Sequence, residues 1–287
     1  MAPIVADVAA VSATVFTDPF CPWSWAVEPH LRRLEIEFGG SVAITFVIAG
    51  LRRQVQDGPA LALSALEAAA RSGMPLDARV FLTDPPASTH PAGLAVHAVA
   101  EQDGGAHVGP YLRRLREAIL LEGRRMDSAP ALLDAARELG PAHALDLERL
   151  RVAFGSSAIV ERLGADLERA AAVAPEHQEP GTGRVKLPSV EFRGRDGAVH
   201  GAYGYVAWEE WRAAALAAGA APADAAGPAS VEAALRRFGP LTAPEVAAVC
   251  GFPPPPAPQA PAALWQAALE WRVRPRAVLG GELWEAA

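Results

Sequence analysis

The chain has 287 residues, 51% hydrophobic and 21% charged, enough for one large core or two modest ones. A formal net charge of −7 and an isoelectric point near 5.5 exclude a general attraction to nucleic acid or an anionic membrane. Aromatics are only 7% and alanine is abundant, which suits a helix-rich α/β protein. The two cysteines, Cys21 and Cys250, lie in unrelated contexts, so no disulfide framework is expected and a reducing compartment is the default. Residues 1–12 lack a basic stretch and contain Asp7, leaving no room for a cleavable signal peptide. No apolar run approaches the ~20 residues of a membrane span. A cytoplasmic protein is the expectation.

In chain order, Ala13 to Thr17 and Val42 to Ile48 are β-branched or apolar runs and predict buried strands. Between them Val27, Leu31, Leu34 and Phe38 share one helical face, predicting a helix over Trp25 to Phe38 that Gly39-Gly40 ends. Strand, helix and strand make a βαβ unit with a right-handed crossover. From about Leu61 to Val173 the chain reads as helices punctuated by Pro and Gly. The clearest are Leu61 to Arg71, Ala92 to Gln102, Tyr111 to Glu122, Ala129 to Leu139 and Ile159 to Ala172. Sheet character returns at Ser189 to Arg193, with an Arg195-Asp196-Gly197 turn, a partner strand from Ala198 and a closing helix over Val206 to Ala218.

This order implies a sheet domain over residues 12–219 with a helical insertion at about 53–174. Residues 220–228 are rich in Ala, Pro and Gly and read as a linker. Residues 229–287 predict a helix over Val231 to Phe238 and a second over Pro244 to Val249, with Thr242 as N-cap and Glu245 completing a capping box. A proline-rich loop from Pro253 to Pro261, a helix over Ala262 to Arg272 and a β-like tail follow. That is the order of a winged helix.

The chemistry concentrates at Cys21-Pro22-Trp23-Ser24, between the first strand and the first helix. A cysteine there meets orphan backbone N–H groups and the positive end of the helix dipole, both of which favour the thiolate. Proline just inside a helix start costs little, because its missing N–H would be unpaired anyway. Leu187-Pro188 follows the Gly181-Thr182-Gly183 loop and precedes the Ser189 strand. A cis-proline there lays out a backbone edge beside the sulfur with no competing N–H. Trp23 is expected near the site and Trp25 in the core. His30 reads as structural, being on the order of 13 Å along the helix from Cys21, and His90 as a surface residue at the start of an insertion helix. Arg113, Arg114, Arg116, Arg124 and Arg125, balanced by Glu117 and Glu122, read as a solvated helix face. No His/Cys/Asp/Glu group has metal-ligand spacing, and no phosphate loop is present. The last segment carries five arginines and five glutamates from Pro228 onward. Its third helix is mostly apolar, so it reads as a packing or protein-interaction unit and not as a DNA binder.

Thr17-Asp18-Pro19-Phe20-Cys21-Pro22-Trp23-Ser24-Trp25 resembles the active-site segment of the DsbA-like branch of the thioredoxin superfamily. Pro91 to Val96, Tyr111 to Ala118 and His200 to Gly204 are similar to its cytoplasmic FrnE-type members and to the YjbH-type adaptors that present a transcription factor to the ClpXP protease. The resemblance implies an α/β thioredoxin-like fold with a helical insertion, followed by a small C-terminal winged-helix-like domain. It implies Cys21 as nucleophile, Pro188 as the cis-proline and Pro22, Trp23 and Leu187 as substrate contacts. Ser24 stands where a redox-active member has its resolving cysteine. The expected function is therefore that of a monothiol thiol-disulfide oxidoreductase or isomerase, in which Cys21 forms mixed disulfides with protein or glutathione partners. An external thiol would release them, and Ser24 would stabilise the thiolate. Two alternatives stay open: a non-catalytic adaptor holding a client protein, and a glutathione-dependent isomerase of a small molecule, whose relatives carry serine at the cysteine position. No resident cofactor or metal is expected, with glutathione a candidate co-substrate. The expected partner is a disulfide-containing or client protein, not nucleic acid or a membrane.

Overall fold

The computed structural model describes residues 10–223 and 227–287; three residues of the expected linker, 224–226, and nearly all of the N-terminal segment read for a signal peptide lie outside them. Strand β1 (Val11–Thr17) is buried at every position but Ser12, the property of a central strand covered on both faces. It pairs in parallel with β2 (Val42–Ile48), from Val11 opposite Val42 to Thr17 opposite Ile48. On its other side β1 runs antiparallel to β5 (Ser189–Arg193), which pairs with β6 (Val199–Tyr203). The order is β2-β1-β5-β6, and β3 (Gln178–Glu179) with β4 (Arg184–Val185) forms a separate ribbon.

The helix expected between β1 and β2 is two helices, α1 (Pro22–Ala26) and α2 (Glu28–Phe38). Pro29 has no N–H to continue the ladder onto Trp25, and Val27 caps both pieces with non-helical angles. The expected face of Val27, Leu31, Leu34 and Phe38 is buried against β1, β5 and α10 (Trp208–Ala217), among them Val15, Phe192 and Trp211.

Seven helices lie between β2 and β3: α3 (Gly58–Ser72), α4 (Val80–Thr83), α5 (His90–Ala100), α6 (Val108–Leu120), α7 (Ala129–Arg137), α8 (Leu147–Ala153) and α9 (Ser157–Ala171). Gly73 ends α3 in the left-handed region, at φ 70°, where a side chain would be strained. The sequence reading passed over α4, a single turn, and α8. The signal for α8 was present: the Asp146 carboxylate accepts from the Arg149 N–H as an N-cap.

The C-terminal unit holds α11 (Val231–Phe238), α12 (Ala243–Cys250), α13 (Gln259–Leu269) and a hairpin of β7 (Val273–Val278) and β8 (Gly281–Ala286). The Thr242–Glu245 capping box is present. Helix α13 begins inside the segment read as a proline-rich loop and stops before Arg272, because Trp271 turns to φ 59°. The unit is docked on the rest of the protein. Leu283 of β8 enters the core of the helical insertion, and the Leu279 N–H donates to the Leu121 carbonyl at 2.8 Å.

Two arginines of the cluster, Arg113 and Arg116, do not lie on a solvated face, whereas Arg125 is exposed and Arg114 and Arg124 are half-buried. Arg113 and Arg116 are buried within α6, and every residue of that helix from Tyr111 to Leu120 except Arg114 is buried. Arg113 donates to Glu117 at 2.7 Å and to both carboxylate oxygens of Glu245 on α12. Arg116 bonds Glu28 of α2 and the Thr17 hydroxyl of β1. Arg113 also lies over the Trp25 ring, 4.4 Å from its centroid. Burial alone would raise the Glu28 pKa, but Arg116, Arg113 and Arg32 together hold it below its ordinary value. Glutamates from two distant helices meet these arginines, so the cluster joins sheet domain, insertion and C-terminal unit.

Candidate functional site

The site forms where β1 ends. The Asp18 side chain accepts the Phe20 N–H at 2.8 Å and the Asp18 carbonyl accepts the Cys21 N–H at 3.1 Å. This tight turn delivers Cys21 to the N-cap of α1, in extended conformation, with Pro22 in the first helical turn. Phe16 of β1 pairs with Ser189 of β5, so Pro188 falls opposite Thr17 and reaches the same end of the sheet as Cys21. The Leu187-Pro188 peptide is cis. Pro22, Ser24 and Pro188 are buried, and Trp23 and Leu187 half-buried. Register and turn thus bring all the expected site residues to one end of the sheet.

The electrostatics differ from expectation. Cys21 is only 2% exposed, and burial pushes its thiol above the ordinary value. The Ser24 hydroxyl and the Ser24 N–H both favour the charged sulfur, but together they do not offset desolvation. The α1 helix is a single short turn pair of five residues, and its dipole cannot restore what lost water removes. The activated thiolate read from the sequence is therefore corrected to a protonated thiol at neutral pH.

Two charged residues beside the sulfur were not singled out from the sequence. Asp18 is fully buried and accepts from the Leu51 N–H at 2.7 Å and the Thr89 hydroxyl at 3.0 Å. Burial nonetheless raises its pKa, against those hydrogen bonds and the charge of Arg184. Arg184, on the ribbon closed by the Gly181-Thr182-Gly183 turn, is the cation of the site. Burial lowers its pKa, and the Cys21 and Asp18 charges oppose that shift. A lone arginine between a glycine turn and the proline was the available signal.

The histidines take other roles. His30 stands edge-on to Trp208 and Trp211 and contacts the Val206 carbonyl at 3.2 Å; burial lowers its pKa to about 4. It is structural, as expected. His90 begins α5 next to Thr89, close enough for the Asp18 charge to act on it, while burial lowers its pKa. Trp25 is fully buried. Cys250 is half-buried beside Ile36 and Glu37 near the C-terminal end of α2, the end away from α1, and cannot resolve a mixed disulfide on Cys21. Among the described residues no group of three or more His, Cys, Asp or Glu is arranged to hold a metal ion. No described helix is long and apolar enough to cross a membrane. A cleft of about 660 Å³ opens where Phe46, Arg113, Phe238 and Arg276 meet, and neither Cys21 nor Pro188 lines it.

A family model described as thioredoxin matches residues 14–174, from the first strand to the end of the helical insertion. The chain belongs to the thioredoxin family. Within that family it is 30% identical over 163 residues to the ClpXP adapter protein SpxH of Halalkalibacterium halodurans, covering 53% of this chain and 52% of that protein. The SpxH of Bacillus licheniformis is 27% identical over 205 residues, 68% of this chain and 64% of that protein. The chain spans about half the length of the first of these curated relatives. Among solved structures, a candidate protein disulfide isomerase from Nitrosomonas europaea superposes with a TM-score of 0.58 at 17% identity, covering 72% of this chain and 96% of that one. The cytosolic disulfide reductase DsbM from Pseudomonas aeruginosa gives 0.52 at 23% identity, covering 70% and 95%. At these identities the structural likeness is one of fold, the thioredoxin-like fold.

Proposed function

We propose that this chain is a protein-binding member of the thioredoxin family, an adaptor that holds a client polypeptide and does not need Cys21 to do so. The observation that carries this reading is the state of Cys21: a lone thiol, 2% exposed, kept protonated by burial and without a resolving partner. Fast thiol–disulfide exchange requires an accessible thiolate. The curated relatives, named as ClpXP adapters, support the same reading. So does the docking of the C-terminal unit on α2 and α6, which offers a client one rigid surface. The test begins with proteins whose half-lives lengthen when the chain is deleted from its host. One such protein is degraded by purified ClpXP with and without the chain. Wild type and Cys21→Ala should accelerate degradation equally. Acceleration that Cys21→Ala abolishes, or none for any such protein, overturns the proposal.

Arg184 favours a second reading, because its charge and the neighbouring Ser24 favour the thiolate over the thiol. Once deprotonated, Cys21 would attack a disulfide RS–SR, forming a mixed disulfide and releasing RS⁻. Glutathione thiolate would then attack the substrate sulfur of the mixed disulfide, forming RS–SG and expelling the Cys21 thiolate, which takes up a proton to become the free thiol. Equal turnover of a disulfide substrate with glutathione by wild type and Cys21→Ala would sink this reading.

A further inference from the structure

Beside Cys21 the chain builds an aromatic pair and fills it with its own cation. Trp23, on the first turn of α1, and Tyr205, just past β6, have ring centroids 5.1 Å apart at a 48° tilt. The Arg71 guanidinium sits 5.3 Å from the Trp23 centroid and 5.1 Å from that of Tyr205. Helix α3 supplies both halves of this arrangement. Ser64 accepts the Trp23 indole N–H at 2.9 Å and fixes the ring edge, and Arg71, two turns on along the same face, covers the ring. Arg71 is in the last turn of α3, where the helix dipole favours a cation.

The rings alone hold this cation. The Arg71 guanidinium makes no hydrogen bond or ion pair among the described residues, and Arg71 is exposed. Contact with two aromatic faces at an exposed site favours its seat only about tenfold, so a second guanidinium could replace it. The surroundings suit a polypeptide that carries one. Glu67, exposed one turn before Arg71, has no ion-pair partner among the described residues. Leu63 and Leu66 of the same helix are 59% and 57% exposed, an apolar margin for neighbouring side chains.

We propose that the Trp23–Tyr205 pair is a binding site for an arginine side chain of a client polypeptide, flanked by apolar residues, and that Arg71 occupies it in the free protein. This deepens the client-binding reading and rests on it for the partner. On binding, the client arginine takes the ring faces, Glu67 meets its charge and Arg71 swings into solvent. Arginine fits better than lysine because a planar guanidinium stacks on rings while its edge keeps its donors free.

The test uses the full chain and a fluorescein-labelled extended peptide with one arginine between leucines, beside the same peptide with neutral citrulline in that place. Fluorescence polarisation should show Arg71→Ala binding the arginine peptide roughly tenfold more tightly than wild type, since no internal cation competes. The citrulline peptide should gain nothing, Arg71→Lys should fall between wild type and Arg71→Ala because an ammonium competes less well for the rings, and adding Trp23→Ala to Arg71→Ala should abolish the gain. Equal affinities of wild type and Arg71→Ala, an equal gain for citrulline, or no binding of either peptide overturns the proposal. Arginine-selective binding without accelerated proteolysis would sink the adaptor reading alone. Accelerated proteolysis without arginine selectivity would sink this one alone.

Discussion

Arg113 grips Glu245 with both ends of its guanidinium, Nη1 to Oε1 at 2.6 Å and Nη2 to Oε2 at 2.9 Å. The same carboxylate accepts the Thr242 N–H at 2.9 Å to complete the N-cap of α12. One fully buried side chain therefore caps the start of a helix and fastens the C-terminal unit to the insertion.

Removing that side chain should be costly. Stripping one partner from a buried pair typically costs about 3–5 kcal/mol, because the other charge is left uncompensated. Glu245→Ala should therefore unfold at much lower urea than wild type. Glu245→Gln, which keeps a capping oxygen, should fall between the two. An unchanged urea midpoint for Glu245→Ala would show that the pair does not hold the structure together.

Cys21 should react as a buried thiol. With its pKa raised by burial, the alkylation rate by a small bimane reagent should climb with pH only above the ~8.5 of a free thiol. Ser24→Ala and Arg184→Met each remove a group that favours the thiolate, and should move the inflection higher still. An inflection below about 7 in the wild type would restore the activated thiolate and the redox reading with it.

Acid should weaken the fold through His30. A base whose folded pKa is depressed, here from 6.5 to about 4, contributes stability that is present above its unfolded pKa. That stability is lost as pH falls from 6.5 toward 4, and the shift corresponds to roughly 3 kcal/mol. Glu28, held below the ordinary carboxylate value of 4.5, adds a second loss only beneath that pH. Urea midpoints measured from pH 7 down to about 4 should fall less in His30→Phe, which keeps the ring contacts with Trp208 and Trp211 but cannot charge. Parallel pH profiles for the two proteins would remove His30 as the cause.

Trp271 should be dispensable for folding. It is 88% exposed and sits at φ 59°, a region a bulky residue enters at a cost of about 1 kcal/mol and glycine enters freely. Trp271→Gly should keep or slightly raise the thermal midpoint. A clear drop would show that the indole makes contacts its exposure hides.

Legibility followed the range of the interactions. Strands β2 and β5, helix α11 and the Thr242 cap stood in the sequence with their boundaries, because β-branched runs, helical spacing and caps are local. The site was legible as a place: Cys21, Ser24 and Pro188 were named, and strand register brings them to one end of the sheet. Its electrostatics were not, since desolvation of Cys21 depends on everything folded around it. The arginines of α6 were misread because their counter-charges, Glu28 and Glu245, lie 85 and 132 positions away. Yet a clue was local. Tyr111, Leu112, Leu115, Ala118, Ile119 and Leu120 surround the helix, and a helix apolar on nearly every side has little room for a wet face.

The shared carboxylate of Glu245 bears on how such a chain could be cut, swapped or inherited. A lobe that recombines freely among proteins carries its own fastenings; this one borrows a guanidinium from a helix that precedes it by more than a hundred residues. Cleavage within residues 220–228 would strip the cover from Arg113 and leave it facing Glu28 and Glu117 alone, above Trp25 and the helix that Cys21 caps. A truncated protein that loses activity would thus report a damaged thioredoxin domain as readily as a missing binding surface. Point substitutions on the outer face of the C-terminal unit, at Trp265 or Leu269, ask the cleaner question.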